Sequence, residues 1–186
     1  MKKRCDWAET HPLLTEYHDS EWGVPQHDDI KLFEFLVLDA AQAGLSWLTV
    51  LKRREGYRKA FDGFDPVKVA KYTEKKIEAL LTDEGIIRNR QKVGSAVHNA
   101  RSMLLVQEEF GSFDRYIWQF TDGRTLKNAW KMEKDIPAES DESRAMSKDM
   151  KKRGFKFVGP VICYAFMQAA GMVNDHLTTC FRYREI

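Results

Sequence analysis

Cysteine and histidine residues occur in pairs in two distant parts of the sequence. His176 and Cys180 are separated by three residues, a spacing that on a helix or a tight turn lets both side chains face one point. A structural zinc site needs four ligands, and Cys5 and His18 are the natural candidates for the other two. The residues alone leave open whether these four form one site or are unrelated, because the sequence contains three further histidines.

An acidic residue interrupts an apolar part of the sequence. Asp39 lies in the segment LVLDAAQAGLSW, within a predicted helix over 28–44 that is apolar on most of its faces. Burial of a carboxyl group without a partner is costly, so an acid in such a helix is a candidate for function. The alternative is a carboxyl group that caps a helix or forms an ion pair.

A short basic segment, KKRGFKFVG, separates two predicted helices. The first covers 140–152 and the second begins at Pro160, so the residues between them must form a tight hairpin. Gly154 and Gly159 allow backbone angles that other residues avoid. The loop and the N-terminus of the second helix present N–H groups, and Lys156 adds a cation, which together suit a DNA phosphate. The alternative is an ordinary helical hairpin with a solvated basic edge.

The elements that position these residues are predicted to be helices almost throughout. Helical periodicity is clearest over 88–111, where apolar side chains recur every three or four residues and Gly111 follows the last turn. Further helices are predicted over 46–61, 64–72, 73–83, 112–120 and 160–171. Residues 121–139 are polar and are predicted to form a surface excursion. No segment alternates convincingly between apolar and polar residues, so the predicted fold is an all-α, compact helical bundle.

The composition is typical of one globular domain, which we expect to cover residues 1–186. Hydrophobic residues make up 43% of the chain, enough for a buried core. The formal net charge of +2 is compatible with nucleic acid binding without indicating it. We expect a cytoplasmic protein without membrane contact, because no apolar run approaches the roughly 20 residues that cross a bilayer and no signal peptide is recognisable. A monomer is the default expectation.

Six segments of the sequence resemble one known family, the constitutive bacterial DNA-3-methyladenine glycosylase I family. The segments are YHDSEWGVP, QAGLSWLTVLKRRE, FDPVKVA, GIIRNRQKV, KKRGFKFVG and VNDH. The resemblance implies an all-α member of the helix–hairpin–helix DNA glycosylase superfamily, with that motif at about 140–172 and GFKFVG as its DNA-binding hairpin. It also implies that Cys5, His18, His176 and Cys180 hold a structural zinc, which clips residues 5–18 to residues 176–180.

The resemblance implies a repair reaction. The family hydrolyses the N-glycosidic bond of 3-methyladenine in alkylated double-stranded DNA after base flipping, and an abasic site remains. Many glycosylases of the superfamily place a lysine nucleophile just after the hairpin, whereas this sequence has Val161 and Ile162, so hydrolysis without strand cleavage is expected. Gly44 and Leu45 are predicted to fill the gap that the flipped nucleotide leaves. Leu45 as a core residue is the alternative.

Methylation at N3 makes the purine cationic, and the faces of indole and phenol rings hold a cation well. The candidate rings are Trp7, Tyr17, Trp22 and Trp47. Tyr17 and Trp47 lie inside the segments that most resemble the family. The alternative for each ring is a place in the core.

The acid in the implied pocket differs from that of the family. The family has a Glu where this chain has Asp39, eight residues before the tryptophan of GLSW. A carboxylate there could attract the cationic ring and accept a hydrogen bond from the adenine amino group, directly or through water. Because Asp39 replaces the glutamate of the family, there is an alternative function: a non-catalytic, zinc-stabilised helix–hairpin–helix protein that binds damaged DNA.

Overall fold

The computed structural model describes residues 2–186, and this part of the chain is mostly helical. Its α-helices are Pro12–Ser20 (α1), Asp29–Gln42 (α2), Trp47–Leu51 (α3), Arg54–Ala60 (α4), Pro66–Val69 (α5), Glu74–Leu80 (α6), Arg90–Phe110 (α7), Phe113–Trp118 (α8), Asp141–Lys152 (α9) and Pro160–Ala169 (α10). Two short strands, Leu126–Lys127 (β1) and Val173–Asn174 (β2), pair in parallel. The predicted helical bundle is confirmed, and the strictly all-α prediction is corrected by this small sheet.

Helix α2 lies at the centre of the larger hydrophobic core. The Asp28 carboxylate caps it by accepting a hydrogen bond from the Lys31 backbone N–H at 2.9 Å. Helices α3, α7, α8 and α10 pack around it, and its residues from Leu32 to Ala41 are all buried. Two acids, Glu34 and Asp39, are therefore carried into the interior by a helix that is otherwise apolar along this stretch.

Three helix ends follow the predicted signals, and one predicted helix is divided. Gly111 ends α7 in a left-handed conformation, Ser140 caps α9 and Pro160 opens α10. The helix predicted over 46–61 is instead divided into α3 and α4. At the division Arg54 forms ion pairs of 2.7 Å with Glu21 and Glu34, contacts between distant parts of the chain that periodicity does not reveal.

A second, smaller hydrophobic cluster joins the first 22 residues to residues 177–181. Its buried members are Cys5, Tyr17, Trp22, Leu177 and Cys180. The two segments are also joined through the backbone, since the Phe181 N–H donates to the Lys3 carbonyl at 2.8 Å. The N-terminal segment is therefore held in place by residues near position 180. Within residues 2–186, none of the helices has the length and apolar character needed to cross a membrane.

Candidate functional site

A cavity of about 420 Å³ lies where the two hydrophobic clusters meet. Trp47 and Ile136 pack against both clusters and line this cavity. The cavity brings together Asp39 with all four aromatic residues that the sequence suggested as a cage, Trp7, Tyr17, Trp22 and Trp47. A pocket with aromatic walls and few polar groups is a suitable place for a planar organic ligand.

Asp39 is the acid of this cavity and is only 4% exposed. Its Oδ2 atom is buried and has no hydrogen-bond partner among residues 2–186. Burial raises the pKa of Asp39 well above its ordinary value, because no cation lies close enough to favour the charged form. The interpretation of Asp39 as a capping or ion-paired residue is therefore wrong, and burial favours the protonated form of its carboxyl group.

The other buried acid of the same helix makes a useful contrast. Glu34 accepts hydrogen bonds from Lys31, Arg54 and Arg58 at 2.7–2.9 Å. Burial of Glu34 works to raise its pKa, but the hydrogen bonds and charges of Arg54 and Lys31 outweigh this and lower it. Burial and pairing thus shift the pKa values of two carboxyl groups five positions apart in opposite directions. Of these two acids, only Asp39 has a buried side-chain oxygen without a hydrogen-bond partner, which indicates a missing ligand or partner.

The four aromatic rings form a connected set. The ring centroids of Tyr17 and Trp47 lie 5.2 Å apart, and those of Trp7 and Trp22, which meet edge to face, lie 5.1 Å apart. Trp22 is mostly buried, as the core interpretation expects, while Trp7 and Trp47 are half-buried. The indole N–H of Trp47 has no acceptor in the part of the chain described here. Two unpaired polar groups, on Asp39 and Trp47, therefore belong to residues that line one cavity.

Sequence reasoning missed one wall of the cavity. The predicted surface excursion contributes Glu133, Ile136, Pro137 and Ala138 to its lining. Glu133 accepts a hydrogen bond from the Trp7 backbone N–H at 3.0 Å, which attaches this wall to the N-terminal segment. Periodicity could not find these residues, because their placement depends on contacts with residues more than a hundred positions away.

Asp175 supports a further part of the lining. Its carboxylate accepts four hydrogen bonds of 2.7 Å, from the Tyr164 hydroxyl, the Gln168 and Asn128 amides and the Trp130 indole. Tyr164 and Gln168 line the cavity, whereas Asp175 does not. Asp175 therefore positions two side chains of the cavity wall without facing the cavity itself.

The four predicted metal ligands lie together and are all buried. The ligand atoms of Cys5, His18, His176 and Cys180 fall within 4.8 Å of one another. The Cys180 sulfur lies 3.4 Å from His18 Nε2 and 3.6 Å from His176 Nδ1. Bonds of about 2.0–2.3 Å to one tetrahedral ion would place such atoms roughly 3.3–3.8 Å apart. This set of two thiols and two imidazoles could hold a metal ion.

The second nitrogen of each histidine is also bound. His18 Nδ1 lies 2.8 Å from the Asp19 carboxylate, and His176 Nε2 lies 3.0 Å from the Trp22 carbonyl. Such partners fix the orientation of the ring and leave the other nitrogen free to bind a metal. A hydrogen bond from Cys5 lowers the pKa of the Cys180 thiol, and the two histidines lower it further. The cluster thus favours the thiolate at Cys180, whereas the hydrogen bond to Cys180 and burial raise the pKa of the Cys5 thiol.

The predicted DNA-contacting loops are both in contact with α7. The first, residues 42–46, is the wedge loop. It contains Gly44 at a φ of +77° and Leu45, which is 41% exposed, so the core interpretation of Leu45 is wrong. The second, residues 153–159, joins α9 to α10 and is the hairpin loop. Lys156 is exposed in it.

One prediction about the hairpin loop is corrected. Gly154 has a φ of +91°, which glycine alone adopts readily, whereas Gly159 is in an ordinary extended conformation with a φ of −64°. The second left-handed residue is Phe157, with a φ of +54°. The sequence did not show this, because the conformation is unfavourable for a phenylalanine and must be imposed by its surroundings.

A second cavity, of about 470 Å³, shares Tyr17 with the first. Charged residues line it, and the main ones are engaged, since Arg54 pairs with Glu21 and Lys31 pairs with Glu34. Among residues 2–186, none that lines this charged cavity has a buried polar side-chain atom without a partner, unlike Asp39 and Trp47 in the aromatic cavity.

Comparison with known proteins shows which family has this arrangement. The model of the methyladenine glycosylase family matches residues 7–183. The chain belongs to the methyladenine glycosylase family. It is 48% identical over 181 residues to DNA-3-methyladenine glycosylase 1 of Escherichia coli (strain K12), an alignment that covers 97% of each chain.

Solved structures of methyladenine glycosylases have the same fold. A crystal structure of 3-methyladenine DNA glycosylase I is 49% identical, with a TM-score of 0.94 over 96% of this chain and 98% of the other. A variant of 3-methyladenine DNA glycosylase I in complex with 3-methyladenine is 36% identical, with a TM-score of 0.93 over 96% of each chain. The resemblance found in the sequence is therefore confirmed.

Proposed function

We propose that this protein is a monofunctional DNA-3-methyladenine glycosylase that acts as a monomer, in the cytoplasm, on alkylated double-stranded DNA. The observation that carries the proposal is the buried, unpartnered carboxyl group of Asp39 in a cavity with aromatic walls. A flipped base would supply what this cavity lacks: a flat ring for the aromatic faces, a positive charge and polar groups for Asp39 and Trp47. The names of the relatives support the same substrate.

The charge of the base explains why an acid is kept without a partner. A cationic purine close to Asp39 favours the ionised carboxyl group, so binding is coupled to release of the Asp39 proton. The carboxylate and the aromatic faces then hold the cation in a site that excludes water, where electrostatic attraction is stronger than in solution. A neutral purine gains none of this attraction, so the pocket selects cationic lesions.

The reaction needs little further assistance, because the cationic base is a good leaving group. The bond between N9 and the sugar C1′ breaks, and its electron pair remains on the base, which leaves as neutral 3-methyladenine. Water adds its oxygen to C1′ and releases a proton to solvent, leaving an abasic site. Loss of the positive charge removes the attraction to Asp39, which favours product release.

Positioning on DNA is assigned to the two loops. The hairpin loop would bind backbone phosphates through its N–H groups and Lys156, contacts that set the register without reading sequence. Leu45 would occupy the gap in the duplex, as apolar wedges do at unstacked base steps. The proposal takes residues 1–186 as a single domain and one chain as the acting unit, since residues of one chain form the cavity, the wedge loop and the hairpin loop.

The metal is proposed to be zinc in a structural role. Two thiolates and two imidazoles match the ligand types and the tetrahedral geometry that zinc prefers. Four protein ligands leave no open position for water, so the ion would stabilise the fold. The ring centroids of Trp7 and His18 lie 5.4 Å apart, and those of Trp22 and His176 lie 4.6 Å apart. By fixing the two histidines, the ion would also stabilise the positions of these two tryptophans.

Base release tests the proposed function directly. The purified protein is incubated with randomly methylated duplex DNA, and the freed bases are identified by chromatography. We expect 3-methyladenine with little 7-methylguanine. A folded protein that binds damaged duplex DNA but releases no base would overturn the proposal and leave the non-catalytic binding protein, in which Asp39 is too short to serve.

Reversal of charge on the hairpin loop is expected to weaken DNA binding. Lys156→Glu should lower duplex affinity about tenfold at low salt and reduce the slope of log affinity against log salt by about one, because one phosphate contact no longer releases a counterion. Titration of labelled duplex at several salt concentrations measures both quantities. Lys59→Glu is the matched control, since Lys59 is exposed on α4, outside both loops. Equal slopes for wild type and Lys156→Glu would remove the hairpin from the docking surface.

A further inference from the structure

Helix α7 contacts both loops that are assigned to DNA, and its contacts are made by two side chains on one face. Lys92 reaches the wedge loop and Asn99 reaches the hairpin loop. They are seven residues apart, which is close to two helical turns, or about 10 Å along the axis. A straight helix of this length is a rigid spacer, so the two attachments fix how far apart the loops lie.

Lys92 holds the end of α2 where the wedge loop begins. Its ammonium group donates to the Ala41 carbonyl at 2.8 Å and to the Ala43 carbonyl at 2.6 Å. The Ala41 carbonyl lies in the last turn of α2 and Ala43 directly follows the helix, a place where a cation is favourable because the helix leaves its final acceptors unpaired. Leu45 follows Ala43 by two residues, so Lys92 determines where the wedge starts.

Asn99 holds the hairpin loop by both of its amide atoms. Its Nδ2 donates to the Lys156 carbonyl at 3.0 Å, and its Oδ1 accepts from the Lys156 N–H at 2.7 Å. Asn99 is fully buried, so water does not compete for these bonds. The next residue, Phe157, has a left-handed backbone, a conformation that costs energy and persists where the surroundings enforce it.

A third contact brings the start of the hairpin loop against the same helix. A Cβ atom at Gly154 would lie 3.3 Å from the Ser102 hydroxyl oxygen, so the loop approaches α7 closely one turn beyond Asn99. Ser95, between the two attachments, is buried and bonds back to the Lys92 carbonyl at 2.8 Å. The face of α7 that carries Lys92, Asn99 and Ser102 is therefore in contact with the loops rather than free.

We infer that Lys92 and Asn99 are positioning residues that hold the wedge loop and the hairpin loop at a fixed separation, so that phosphate docking at the hairpin loop delivers Leu45 of the wedge loop to the gap that the flipped nucleotide leaves. This inference rests on the proposed function. Neither residue touches the base, since neither lines the aromatic cavity. Fixed separation matters because a misplacement of about 1 Å can cost on the order of 100-fold in rate.

The two attachments are expected to affect different kinetic constants. Asn99→Ala frees the hairpin loop and should raise KM for methylated duplex about tenfold, with kcat within about twofold of wild type, since each lost hydrogen bond weakens docking. Lys92→Met frees the wedge loop and should lower kcat about tenfold with a smaller change in KM. Affinity for free 3-methyladenine, followed by tryptophan fluorescence, should remain that of wild type in both variants.

The controls separate positioning from general stability. Gln107→Ala removes another α7 side chain that bonds across the fold, to Asp29 at 2.6 Å, away from both loops, and should leave KM and kcat unchanged. Lys92→Arg retains a cation and should restore most of the kcat. If Asn99→Ala does not fold, Asn99→Asp keeps the acceptor for the Lys156 N–H, loses the donor and should give an intermediate KM.

Two results would overturn the inference. One is a wild-type KM in Asn99→Ala together with a wild-type kcat in Lys92→Met. The other is an equal loss in both variants and in Gln107→Ala. If the wild-type protein releases no base, the proposed function fails instead. Two binding measurements then test the inference without any measurement of catalysis. They are the duplex affinity of Asn99→Ala and, for Lys92→Met, 2-aminopurine fluorescence as a measure of base flipping.

Discussion

Asp39→Asn is expected to lower the rate of 3-methyladenine release by about 100-fold at neutral pH, the size of effect seen when one electrostatic contact to a reacting group is removed. Asparagine has nearly the same shape but cannot become an anion when the cationic base enters. The loss should appear mainly for cationic lesions and much less in affinity for undamaged duplex. Single-turnover release from methylated DNA, with duplex binding measured alongside, gives both quantities.

The same variant is expected to differ from wild type in how stability depends on pH. Burial raises the native pKa of Asp39 well above its ordinary 3.8. The native protein therefore keeps a proton that the unfolded chain releases, and this group makes wild type progressively less stable as pH rises from about 4 towards its native pKa. Asp39→Asn has no such group, so its stability relative to wild type should increase over that range in denaturant titrations.

Asp39→Glu provides the matched comparison. It keeps the acid and lengthens its reach by one methylene group, so release should stay at or above the wild-type rate. A variant Asp39→Asn as active as wild type, with a difference in stability that does not change with pH, would remove Asp39 from the mechanism. Loss of activity in both variants would instead indicate that the cavity tolerates only the native side chain.

Cys180→Ser is expected to produce the largest loss of stability. Removal of one thiolate should abolish tight zinc binding, and a structural zinc contributes directly to the free energy of folding. A loss of several kcal/mol corresponds to a fall in Tm of roughly 10 °C or more in a chain of this size. Elemental analysis for zinc and thermal unfolding followed by circular dichroism measure the two effects together.

Cys163→Ser is the control for this prediction. Cys163 is also a buried thiol, but it lies in α10 outside the ligand cluster. Its replacement should retain one zinc per chain and lower Tm much less. If Cys180→Ser also retains a full equivalent of zinc and the wild-type Tm, Cys180 is not a ligand. Activity should fall more in Cys180→Ser than in Cys163→Ser. The imidazoles that Trp7 and Trp22 pack against would lose the zinc ion that holds them.

Features with strong local signals could be predicted from the sequence. Helix ends at Gly111, Ser140 and Pro160 follow from the chemistry of single residues, and the structure agrees. The association of Cys5 and His18 with His176 and Cys180 was suggested by ligand type and supported by resemblance. The structure brings all four together.

Features that depend on distant partners could not be predicted. The sequence only partly distinguishes the paired Glu34 from the unpaired Asp39, because Lys31 lies one turn from Glu34 but the two arginines that also pair with it come from α4. The wall formed by Glu133 and Ile136 looked like a polar surface loop, since its attachment to Trp7 spans 126 positions. The left-handed backbone of Phe157 likewise follows from the surroundings of the loop.

The joining of residues 5–18 to residues 176–180 also governs when the site can form during synthesis. Cys5 and His18 leave the ribosome long before His176 and Cys180, by about 10–30 seconds at common rates of elongation. Until then Trp22 lacks His176, against which it packs, and the early segment exposes apolar rings. A partly synthesised chain therefore cannot hold a flipped base, and chaperones have an interval in which to shield its first 22 residues.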